Sequence, residues 1–409
     1  MSNFDDLKLA VEALSGGKNT VLFDDDLGTG GESFPSIMVR IPQFTSLSVL
    51  AGAPDAPHSM FVVDDVPYPE IYFSKYPNIV MHDRAYSLPY KDPRAYVTFD
   101  QAQQFSEAKG KGWHLATNAE YAGIALWCLK NGFMPRGNNY FGGDHSATHE
   151  RGVVTYTYND NGTIRKGRTA TGSGPASWNH DGTNAGICDL NGNVWEWAGG
   201  FRIVDGEIQI IPHNNAAKHV DQSASSTQWK AILQDGTIVA PGTANTLKFD
   251  NSVAGDNTQV NHKVGGTTVI NTARTNPMYT GASVDVYNYF GYQVHTFETL
   301  AAKSGVTVPM LLKILGIAPP TTGLDGDNFW IRNYGERRPL RGGNFWSGAG
   351  AGVFALNLNH PRADSGLDVG IRAAFVSLIC FLCSGFRRDS GGFPLRGFCP
   401  GGVAIFGFF

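Results

Sequence analysis

The sequence predicts an α+β protein in which two amphipathic helices lie beside small antiparallel sheets, preceded by an N-terminal module and interrupted by a β-rich insertion. Three observations carry this reading. Two segments, near 98–110 and 117–132, have the apolar spacing and end signals of capped helices. Most of the remainder consists of short alternating runs bounded by Gly, Asn and Asp, which is strand-and-turn grammar. The 409 residues are 42% hydrophobic and 12% aromatic with 50 Gly, which suits a loop-rich chain with a sizeable aromatic core and argues against disorder.

Taken in chain order, residues 1–55 open with an apolar stripe (Leu7, Val11, Leu14), pass a Gly/Asp-rich turn at 24–31 and reach the alternating run IMVRIPQF. This reads as an N-terminal module. GTGGES lacks the Gly-Lys-Ser/Thr ending of a phosphate loop and is read as a turn. In TFDQAQQFSEAKG, Thr98 and Gln101 make a capping-box pattern, Phe99, Ala102, Phe105 and Ala108 line one face, and Gly110 suits the C′ position. The second helix repeats the pattern with Thr117 and Glu120, turns Tyr121, Ile124, Ala125, Cys128 and Leu129 inward, and ends at Asn131-Gly132. The run VVTYTYNDNGTIRKG alternates about an Asp-Asn-Gly turn and predicts a β-hairpin. Residues 201–334 form the insertion, with strands expected in GEIQIIP and GTTVIN and a short helical hairpin within 297–317. Residues 377–409 are a Phe/Gly-rich tail, and the apolar run AAFVSLICFLC that leads into it suggests a core strand followed by an irregular end.

Composition excludes several functions. A net charge of −4 and a pI near 6.2 leave no basic excess for phosphates, so neither nucleic acid nor an anionic membrane surface is an expected partner. No stretch reaches the roughly 18 apolar residues of a spanning helix, and no secretory signal is seen at the N-terminus. Five cysteines (Cys128, Cys188, Cys380, Cys383, Cys399) are too few and too unevenly placed for a disulfide framework. The CxxC of Cys380 and Cys383 lacks the four ligands of a zinc site.

Three segments are more specific: HLATNAEYAGIALW, GICDLNGNVWEWAGGF, and PLRGGNFW followed later by GIRAAF. In NVWEW, Glu196 stands between Trp195 and Trp197, so a buried carboxylate there needs a cation or an Arg as its partner. In order and content the three segments resemble the formylglycine-generating-enzyme (sulfatase-modifying factor) branch of the C-type-lectin-like fold. The resemblance covers 56–200 and 335–376 and implies that fold. It also implies a structural calcium ion as one alternative, held by Asp189 and Glu196 with the carbonyls of Gly192 and Val194. Hard oxygen ligands suit calcium. The other alternative is an ion pair from Glu196 to Arg341 or Arg372, and no further cofactor is implied.

The departures from the enzymes matter equally. Their oxidases carry a reactive Cys pair between the RGG and G-x-R elements, whereas 340–372 contains no Cys. His145 and His149 are four apart but lie in a Gly/Ser/Thr loop without the helix and Glu of HExxH. The segment RGGNFWSGAGAGVFALNLNHPRADSGLDVGIRAAF instead resembles the variable region of proteins diversified by diversity-generating retroelements. That likeness implies a non-catalytic display protein whose binding positions are Asn344, Phe345, Trp346, Ser347, Gly350, Asn357, Asn359, His360, Asp364, Gly366, Leu367 and Asp368. Asn357 and Asn359 also stand among the framework elements, with 340–343, 351–356 and 370–372. The bland reading of Phe345 and Trp346 is that both are core aromatics beneath the loop.

The resemblance implies a protein or glycan ligand on a cell surface, a place on a phage virion or bacterial surface, and homo-oligomerisation as a source of avidity. Two rival classes stand beside it: a metal-dependent oxidoreductase of the formylglycine-generating or sulfoxide-synthase kind, and a purely structural virion or surface component.

Overall fold

Both helices start where their capping residues stand. Thr98 accepts from the backbone N–H of Gln101 (3.3 Å) while the Gln101 side chain accepts from the N–H of Thr98 (3.1 Å). Thr117 and Glu120 repeat the exchange at 3.2 and 2.8 Å. The helices run Phe99–Glu107 and Asn118–Lys130 in the computed structural model, which describes residues 3–24, 33–253, 266–275 and 292–378. Gly132 (φ +67°) follows the Asn131 cap as expected. The first helix caps earlier, at Ala108, so Gly110 (φ +112°) lies one residue beyond the expected C′ position.

A five-stranded antiparallel sheet runs in the order Asn19–Phe23, Pro35–Pro42, Glu70–Ser74, Ala373–Phe375, Trp113–Leu115. Residues 1–55, read as an N-terminal module, thus supply two of its strands. Ala373–Phe375 is the strand expected in AAFVSLICFLC. Leu115 and Ala373 join Phe99, Phe105, Trp195, Trp197, Leu340 and Ile371 in one buried cluster, so the helix, the sheet and the segment after 340 share a core. Burial on this scale contributes roughly 1.5–3 kcal/mol per large apolar side chain.

The second sheet is built around Gly352–His360, which is parallel to Asn328–Arg332 and antiparallel to Glu336–Gly342. Phe201–Val204, Glu207–Ile210, Lys248–Asn251 and Thr268–Asn271 extend it outward from Glu336–Gly342. The strands expected in GEIQIIP and GTTVIN are therefore present, and residues 201–334 add to a sheet that 335–376 begins. Trp195–Trp197 runs antiparallel to Glu336–Gly342 and parallel to Val369–Gly370.

One expectation fails. Residues 297–317 hold a single five-residue helix, Met310–Ile314, preceded by a 3-10 turn at Phe297–Thr299 and a short strand at Ala301–Ala302. The β-branched run Val306, Thr307, Val308 and then Pro309 resist helix, and Gly316 (φ +56°) stops it. No helix among the described residues is long and apolar enough to cross a membrane. Most of the 24–31 turn, and residues 379–409 with their CxxC, lie outside the described residues.

Candidate functional site

The segment after Leu340 is anchored from below. Arg341, fully buried, donates to Asn118 Oδ1 from Nε (3.1 Å) and Nη2 (2.5 Å), and to the carbonyl of Gly316 (2.9 Å). Gly342 and Gly343 both have φ +90°. A Cβ on Gly343 would stand 2.4 Å from that of Ala351, so only glycine lets the chain turn out into the loop there. After the loop, Gly352 packs against Asp327, whose buried carboxyl accepts from the N–H of Phe354 (2.6 Å). The strand Gly352–His360 is then buried as far as Leu358.

Glu196 receives a guanidinium. Arg372 donates from Nε to Oε2 (2.8 Å) and from Nη2 to Oε1 (2.7 Å), and the Tyr121 hydroxyl also donates to Oε2. The same Arg372 reaches the carbonyls of Ser74 (2.8 Å) and Cys188 (3.0 Å). Burial pushes the Asp189 carboxyl up to about 6, and its Oδ2 accepts from the N–H of Gly172 (2.8 Å). A positive charge thus already occupies the space between Glu196 and the Cys188–Asp189 backbone. The ion-pair alternative is formed, through Arg372, and it engages the Glu196 carboxylate of the calcium set of Asp189, Gly192, Val194 and Glu196. Arg341, although opposite Glu196 in the ladder, turns to Asn118. No cluster of three or more His, Cys, Asp or Glu suited to a metal occurs among the described residues.

The two cysteines among the described residues are poorly placed as nucleophiles. Cys128 and Cys188 are free and buried, and burial drives both thiols well above their ordinary range. His145 and His149 are exposed loop residues. His114 is a fully buried strand residue held by Glu120 (2.8 Å) and the carbonyl of Gly112 (2.9 Å).

Of the twelve binding positions named above, the structure separates two groups. Trp346 is 40% exposed, and Ser347, Asn359, His360, Asp364, Gly366, Leu367 and Asp368 are all partly open to solvent. Asn344, Phe345, Gly350 and Asn357 are buried, so in this conformation they do not present side chains outward. The reason is local. Phe345 points into the protein against Tyr158 while its neighbour Trp346 points out, and the two rings meet edge to face at 4.5 Å. The core-aromatic reading therefore holds for Phe345 and not for Trp346.

Buried Asn344 organises the exposed set. Its Oδ1 accepts from Ser347 Oγ (2.7 Å) and the N–H of Trp346 (3.1 Å), while its Nδ2 donates to Asp368 Oδ2 (2.6 Å). Burial raises the Asp368 carboxyl above its usual range. His360 Nδ1 meets Asp364 Oδ2, and Asp364 is correspondingly held low against its own burial.

Three tyrosines outside the segment complete this surface and were not picked out from the sequence as site residues. Tyr158 lies 5.7 Å from Trp346 and stacks with Tyr156 at 6.5 Å. Arg168 sits 4.0 Å over Tyr156 and donates to the carbonyl of Leu367 (2.6 Å). The N–H of Tyr96 donates to the carbonyl of Gly366 (2.8 Å). The visible signal was the alternation T-Y-T-Y, which places Tyr156 and Tyr158 on one face of the expected hairpin.

Residues 78–218 match a known family, described as the sulfatase-modifying factor enzyme 1-like domain. The match spans both helices, the hairpin and the NVWEW turn, and it is consistent with a C-type-lectin-like fold of mixed helix and small sheets. That family contains enzymes and non-catalytic members alike. No curated protein matches the chain.

Proposed function

We propose that the chain is a non-catalytic ligand-binding protein whose surface between 344 and 368 is a diversifiable recognition face, of the retroelement-varied kind displayed on a phage or bacterial surface. One observation carries this: the exposed side chain of Trp346 and the partly open side chains of Ser347, His360, Asp364 and Asp368 stand on loops whose anchors are wholly buried. Recognition surfaces are built this way, with adaptable polar groups and an aromatic anchor on a stiff base. Replacing Trp346, His360 and Asp368 together is expected to abolish capture of the ligand while leaving the fold intact. Unchanged interactions in a ligand screen of that variant would favour a purely structural role. The diversification itself is tested in the genome. A near-copy of the segment encoding 340–372, differing only at adenines and beside a reverse transcriptase, is expected, and its absence would contradict the retroelement assignment.

The family match supports one second reading, a metal-dependent oxidoreductase. Copper or iron retained at stoichiometric level, together with oxygen consumption on a thiol substrate, would establish it. The engaged Glu196 and the buried thiols of Cys128 and Cys188 weigh against it.

A further inference from the structure

Among the described residues, the hairpin 157–166 pairs with no other strand. Its turn is set by Asn161 (φ +48°) and Gly162 (φ +92°), the two left-handed positions that a tight two-residue hairpin turn uses. An isolated two-stranded hairpin is marginal in water, so what holds it matters. Contacts are concentrated on one face. Tyr158 packs on Phe345 and Trp346, and Arg165, its cross-strand partner, lies 5.1 Å over Phe141. Phe141 in turn donates its N–H to the carbonyl of Phe345 (2.7 Å).

These contacts close a circuit. It runs from Asn344 to Asp368, through the 366–367 backbone to Tyr96 and Arg168, across Tyr156 and Tyr158, and back to Trp346. Asp368 is near enough to Tyr96 and Tyr158 for its charge to help raise both phenols, after the Tyr156 hydrogen bond and burial respectively. The rim stays open, with Tyr96 53% and Trp346 40% exposed.

We propose that the hairpin is a fixed second wall of the recognition face, and that the face takes an uncharged sugar ring of a surface glycan, stacked on Tyr158 and Trp346 with Tyr96 at the rim. This rests on the reading of 344–368 as a binding face. Charge favours a neutral ligand. The two guanidinium groups that lie over the aromatic rings of the patch are already paired, Arg165 with Asp160 (2.5 Å) and Arg168 with Asp92 (2.7 Å). Lys166 stands on the opposite face of the hairpin from Tyr158, paired across to Thr157. An anionic polymer would therefore meet these two guanidinium groups already engaged, beside the carboxylates of Asp364 and Asp368. Rings of this kind give contact area at low entropy cost, and the partly open side chains of Asp368 and His360 offer planar groups to vicinal hydroxyls.

The test is an array of neutral oligosaccharides printed beside sulfated and uronic-acid glycans, probed with the full chain and its variants. Binding confined to neutral glycans is expected, weakened about tenfold or more by Tyr158→Ala and kept within about threefold by Tyr158→Phe. Tyr96→Ala gives the same readout on an exposed ring should Tyr158→Ala fail to fold. Binding to no glycan, or chiefly to anionic ones, would overturn the ligand class. Neutral binding untouched by both Tyr158→Ala and Tyr96→Ala would overturn the hairpin's part. Glycan binding that survives joint replacement of Trp346, His360 and Asp368 but falls with Tyr158→Ala would instead remove the variable face and keep the hairpin site.

Discussion

At the scale of single residues, the decisive contacts are those made by buried charges. Glu196 and Arg372 are each almost inaccessible and share two hydrogen bonds. Breaking a buried pair strands the remaining charge, so Glu196→Gln is expected to cost about 3–5 kcal/mol in denaturant unfolding. A cost below about 1 kcal/mol would mean that Arg372 finds another anion. From the sequence, the need of Glu196 for a partner was legible because two Trp flank it. The choice of Arg372 was not, since it depends on where Arg341 turns after pairing across the ladder. The same limit applies at Phe345 and Trp346, where adjacent aromatics take opposite directions and only the loop's anchoring says which goes inward. His114 adds a pH dependence. Burial alone would lower its pKa, but the Glu120 carboxylate outweighs burial and raises it. Because the folded value lies above the unfolded one of about 6.5, this stabilisation is complete below that pH and is lost as pH rises through the raised value. Stability of the wild type relative to His114→Gln is expected to fall over that alkaline-going window. A difference that instead grows with pH would contradict the assignment.

At the scale of elements, local signals did most where they act locally. Both capping boxes were readable because each needs only residues three apart. Thr117→Ala is expected to cost about 1 kcal/mol, seen as a lowered denaturant midpoint with an unchanged slope. An unchanged midpoint would mean that the Thr117 hydroxyl contributes nothing, despite also donating to Asn214 (2.6 Å). The hairpin was equally legible from its Asn-Gly turn and its alternation. The 297–317 segment was not, because its apolar content suits helix while its β-branched run and Pro309 favour extended backbone, and packing decides between them. The helix ending at Ala108 shows a smaller miss of the same kind, since a glycine marks a stop only to within a residue or two.

At the scale of the whole molecule, the two ends of the described core meet. Strands from 19–42 and the strand Ala373–Phe375 flank Glu70–Ser74 in one sheet. Periodicity in a short window reports strand character but not partners, so residues 1–55 read as a module when seen alone. Arg372, one residue before the strand Ala373–Phe375, ties that strand to Glu196 and to the carbonyl of Ser74. The proposed recognition face is thus a set of partly open side chains on a buried frame. Thermal unfolding of a chain with Trp346, Ser347, His360, Asp364 and Leu367 all replaced, beside a Phe345→Ala chain, tests this most directly. The replaced face is expected to unfold within roughly 2–4 °C of the wild type, with Phe345→Ala clearly lower. A replaced face that unfolds as low as Phe345→Ala would show that these side chains hold the fold together and are not free to vary.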